Sequence, residues 1–94
     1  MSAYLTIDGK EPTDLASNVG WGSVCEWIDG LDSNAYPDLV HLREHGWSEP
    51  ASAVREQLAA AMQDSPAEGH AADVIANLLE TLAGLGDESL GVTS

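Results

Sequence analysis

Residues 41–47 read HLREHGW, and this stretch holds the residue types best suited to chemistry. His41 and His45 stand four apart, a spacing that puts both imidazoles on one face of a helix. Asp38 lies three residues before His41, and Glu44 directly precedes His45. Two imidazoles and a carboxylate on one helix face are a donor set that zinc accepts. The alternative is one turn of a solvated helix.

A helical wheel at about 100° per residue separates the two readings. Tyr36, Leu39, Val40 and Trp47 gather on one side, with Arg43 among them. His41, His45 and Asp38 gather opposite, and Glu44 lies between the faces. The histidines are therefore expected to point toward water. In the last helical turn, His45 is well placed near the negative end of the helix dipole. The order His-x-x-Glu-His is similar to that of inverted zinc peptidases, but over five residues only, and the whole chain resembles no family. A peptidase also needs a carboxylate ligand from another helix and a cleft. A chain of 94 residues leaves little room for them. No metal and no cofactor are expected; His41, His45 and Asp38 are weak candidates only.

Cys25 is the one cysteine, so no internal disulfide can form. It falls in the first turn of the first expected helix, where the dipole favours a thiolate. No histidine is near it in sequence, and a cysteine beside an apolar stripe usually serves packing. No lysine follows the "GWGS" segment to make a phosphate loop. No catalytic residue is expected, and the chain is read as a non-enzyme.

The elements that must position these groups are mostly helical in pattern. "YLTI" at 4–7 alternates weakly and ends in the turn signal "DGKEP", which suggests a short strand. "PTDLASN" at 12–18 could hold one helical turn, and "NVGWGS" at 18–23 reads as a loop. "SVCE" at 23–26 has the form of a capping box, and Val24, Trp27, Ile28 and Leu31 follow as one stripe. The second helix starts near Pro37 and stops at Gly46. The third starts at Ser48 and carries Ala51, Val54, Leu58, Ala61 and Met62 inward. The fourth opens with "SPAE", Pro66 taking its first position, and carries Ala71, Val74, Ile75, Leu78, Leu79, Leu82 and Leu85. Residues 86–94 are a flexible tail or a small strand, and "LGVT" at 90–93 is the one partner available to "YLTI". Short linkers favour antiparallel neighbours. The expectation is one mainly α domain over 1–94: a compact bundle of about four short helices, with room for an N-terminal strand. Residues 1–22 form its strand and loop segment, and 23–85 the helical core.

Charge decides which partners are plausible. Sixteen acidic residues face three basic ones, Lys10, Arg43 and Arg55, for a net charge of -13. Such a surface repels nucleic acid and anionic membranes and attracts basic proteins. High-salt adaptation or plain solubility would also use many acids. No run of about 18 apolar residues is present to span a membrane, and no signal peptide is evident. A cytoplasmic setting suits a lone cysteine.

Trp27 belongs to the first helix stripe, and Trp47 is expected to fold back on the helix end after Gly46. Trp21, between Gly20 and Gly22, has no helical register. It is either a plug over the bundle end or an anchor facing a partner. The favoured function is a small acidic, non-catalytic protein-binding domain covering a basic surface, in the manner of an inhibitor, immunity protein or nucleic-acid mimic. Trp21, Glu26, Asp29, Asp38 and Glu44 are its candidate contacts. The alternative is a scaffold or adaptor subunit, or a homodimer, whose charge serves solubility or high salt.

Overall fold

The computed structural model describes residues 2–8 and 10–93. Eight elements follow one another: β1 (Ser2–Ile7), β2 (Thr13–Ser17), α1 (Asn18–Asp29), α2 (Pro37–His45), β3 (Trp47–Ser48), α3 (Ala51–Asp64), α4 (His70–Leu82) and β4 (Leu90–Thr93). The strands form one sheet in the order β2-β1-β4-β3, with every neighbouring pair antiparallel. The fold is therefore α+β, and the expected mainly α bundle is corrected.

The sheet forms because its residues alternate. Ala3, Leu5 and Ile7 of β1, Leu15 of β2, and Leu90 and Val92 of β4 are buried and join the helical core. Tyr4 and Thr93 between them point the other way and are exposed. One face meets helices and one meets water, the usual arrangement of an antiparallel sheet. "YLTI" and "LGVT" do pair, with Tyr4 opposite Thr93 and Ile7 opposite Leu90. Residues 90–93 are thus an inner strand, where a flexible tail was one expectation.

β2 corrects a second expectation, since "TDLAS" is a strand and not a helical turn. Its register shifts opposite Ala3 and Tyr4, which face Ala16 and Asp14, leaving Leu15 as the extra residue. A bulge lets consecutive residues reach the same side. Leu15 is buried here, and Ala16 packs against the core beside it.

α1 starts earlier than expected. The Ser17 hydroxyl accepts from the Gly20 amide at 3.0 Å and caps the helix. Ser23 lies inside the helix and donates to the Val19 carbonyl at 3.0 Å, so the "SVCE" capping box does not form. "NVGWGS" is helix and not loop. Two glycines disfavour a helix locally, but α4 packs closely on the first of them. A Cβ on Gly20 would lie 3.2 Å from Val74 Cγ2.

α2 follows its sequence signals, with Pro37 at its start and Gly46 at φ 80°, donating to the Leu42 carbonyl at 2.9 Å. α3 begins at Ala51 and not Ser48; Ser48 is in β3, only 2% exposed. α4 begins at His70 after Gly69, so Pro66 lies in the preceding linker and the "SPAE" box does not open the helix. Its inward face matches the periodicity: Ala71, Val74, Ile75, Leu78 and Leu82 are buried, with Leu79 and Leu85 packed at the margin. Each fully buried Leu or Ile contributes about 1.5–3 kcal/mol. One cluster of such residues joins the sheet to all four helices. The Cα radius of gyration, 11.8 Å, is close to the roughly 12 Å of a single compact domain this long.

Candidate functional site

Of the two histidines, His45 is exposed as the wheel suggests, and His41 faces water only in part. β3 runs back alongside α2, and the half-buried His41 ring turns toward it. Its Nδ1 is 2.7 Å from the Trp47 carbonyl oxygen. A carbonyl can only accept, so Nδ1 carries the proton and donates. The His41 ring also meets Trp47 nearly at right angles, with centroids 4.7 Å apart, and tilts against His45 at 4.5 Å. Asp38 is tied to α3: the Gln57 amide donates to its carboxylate at 2.9 Å, and Gln57 Oε1 accepts from the Asp38 backbone amide at 2.9 Å. Among the described residues, no group of three or more His, Cys, Asp or Glu side chains is placed to hold a metal ion.

The other candidate contacts meet different neighbours. Asp29 binds Arg43 at 2.7 Å across α1 and α2, the one ion pair among the described residues. Glu26 borders an open groove with Trp27 and Glu68, and the Trp27 indole donates to the Ser65 carbonyl at 2.6 Å. Glu44 is exposed on α2. Trp21 sits on α1, half-buried against the core. Cys25 is half-buried too; burial pushes its thiol up, Arg43 pulls it down, and Asp29 adds to the rise.

What the fold gathers is a surface that local pattern did not show. The outer face of the sheet carries Tyr4, 45% exposed, and Trp47, 48% exposed. Trp47 does fold back against α2, where its ring meets His41, but it stays half-exposed at a corner of the sheet opposite Gly91. An open groove of about 340 Å³ runs beside it, lined by Thr6, Asp8, Lys10 and Gly91 among others. On the far side of Trp47, a smaller cleft holds Asp38, His41 and Glu49. Asp14 sits opposite Tyr4 on β2. A Cβ on Gly91 would come within 3.3 Å of the Gly46 carbonyl oxygen, so glycine keeps the groove floor flat and β3 close.

Each outer strand of the sheet has one carbonyl occupied by a helix side chain. At β3 the Trp47 carbonyl accepts from His41. At β2 the Leu15 carbonyl accepts from Asn77 Nδ2 at 3.4 Å. Helix side chains that occupy edge carbonyls oppose strand addition. The alternation in "YLTI" was the only sequence signal for Tyr4 facing outward. Trp47 carried none, because its orientation follows from pairing with a strand distant in sequence.

No family model, curated protein or solved structure matches this chain.

Proposed function

We propose that this domain is a non-catalytic binding protein that covers a basic surface on a partner protein, as an inhibitor, immunity-type protein or nucleic-acid mimic does. The observation that carries this reading is the mismatch between charge and internal pairing. The chain bears sixteen acidic and three basic residues, yet the described residues form one ion pair, Asp29 with Arg43. The remaining negative charge repels itself and destabilises the compact state. A basic partner relieves that repulsion on binding and is steered toward the surface by the same field. Nucleic acid and anionic membranes are repelled by it. A reducing, cytoplasmic setting fits the single free thiol of Cys25.

The test has two parts. The domain should fold cooperatively at low ionic strength, and its association rate with a partner captured from the native host should fall steeply as salt rises. A domain that folds only in molar salt would assign the acids to salt adaptation. A salt-independent association rate would remove steering.

A further inference from the structure

We infer that the helix-free face of the sheet, cornered by Trp47, is where a basic segment of the partner docks, with an arginine or lysine side chain lying against the Trp47 ring. This rests on the acidic-binder reading and assigns it a place and a contact.

Three observations select this face. It presents Tyr4 and Trp47, which with Val19 are the exposed large apolar side chains among the described residues. Val19 is a lone aliphatic on α1, and such single residues are ordinary on any surface. A tryptophan and a tyrosine on one face are the side chains enriched where partners bind tightly. Second, one carbonyl on each outer strand is taken, by His41 and by Asn77, which weighs against strand addition as the mode of docking.

Third, the charge around Trp47 is complementary to a cation. Asp8 lines the groove on one side of the ring, and Asp38 and Glu49 line the cleft on the other. Lys10 is the one basic residue there; Arg43 is engaged by Asp29 on the helical side. A cation over an indole gains from the ring's negative face, and nearby carboxylates add to that attraction. A second copy of this chain carries the same net charge of -13, so like charge opposes self-pairing.

The probe is a short arginine–glycine peptide, with a glycine–serine peptide of equal length as control. Each is titrated at low salt into isotopically labelled protein, and amide and indole signals are followed by NMR. The expected result is saturable binding of the basic peptide alone, shifting the Trp47 indole, Tyr4, Thr6 and Gly91 while the Trp21 and Trp27 indoles stay in place. Trp47→Ala and Tyr4→Ala should each weaken binding at least about tenfold. Glu80→Gln, on α4, should change it far less. Because Trp47→Ala also removes the His41 ring contact, Glu49→Gln serves as a second variant and should weaken binding with the fold intact. Shifts spread evenly over the helices would overturn this face and leave the acidic-binder reading standing. Absence of binding at low salt would overturn both. Concentration-dependent shifts of Tyr4 and Trp47 without peptide would give the face to a second copy and overturn the basic occupant.

Discussion

The Nδ1 atom of His41 lies 2.7 Å from the carbonyl oxygen of Trp47, so the helix that carries the histidine caps the edge strand that follows it. His41→Ala removes that donor and exposes the edge. The expected loss is about 1 kcal/mol, the net value of one hydrogen bond of this kind. His45, exposed one turn later, should cost less than about 0.5 kcal/mol when replaced by alanine. Urea denaturation of the two variants checks the order; equal losses would mean the cap contributes nothing.

The α4 face should be the most sensitive part of the core. Leu78 is 1% exposed, and Leu78→Ala leaves a cavity that α1 and α3 cannot easily fill. A loss of roughly 2–5 kcal/mol is expected. Denaturation with an unchanged slope and a lower midpoint would show it.

Trp21 tests the boundary between packing and recognition. It lies on α1 and packs against the core. Trp21→Ala should therefore destabilise the free domain by more than about 1 kcal/mol, and partner affinity should follow the folded fraction. Stability and affinity must be measured on the same preparation. A large affinity loss with unchanged stability would restore Trp21 as an anchor.

High pH should unfold the domain partly through Tyr36. Its hydroxyl donates to Asp64 at 2.5 Å. That bond raises the phenol above its ordinary value, and burial and the charges of Asp64 and Asp32 add to the rise. The folded state thus holds the proton more tightly than the unfolded one. The resulting stabilisation is complete below the unfolded value of about 10 and is lost as pH rises through the folded value. Urea midpoints should begin to fall as pH rises past about 10 and keep falling until the folded phenol ionises, and Tyr36→Phe should flatten that fall.

Cys25 should be a slow nucleophile. Burial disfavours its thiolate, and only the thiolate attacks. Alkylation of the native protein near neutral pH should run well behind that of the urea-unfolded chain. Equal rates would mean that the thiol is open to solvent.

The parts of the fold legible in the sequence are those fixed by neighbours in the chain. The stripe of α4 and the Pro37 and Gly46 limits of α2 depend on local backbone chemistry, and they stand. The start of α1 was hidden because Gly20 argues against a helix locally, and the tightest contact that favours glycine there, Val74 of α4, is distant in sequence. β2 and β3 were hidden because a bulge interrupts one and the other has two residues, too few to show alternation. The candidate face failed for the same reason. Tyr4 and Trp47 share it only through β4, and no spacing within one segment encodes that. The negative charge needed no structure to be seen, but its lack of internal partners did.

The position of β4 has a kinetic consequence. It separates β1 from β3 in the sheet, yet it is the last of the four strands to be synthesised. Until residues 90–93 are in place, β1 has only β2 beside it and β3 has no strand beside it. The central ladder must then form between segments far apart in sequence, the kind of closure that slows folding. Placing residues 90–93 between β1 and β3 is therefore the pairing that completes the sheet.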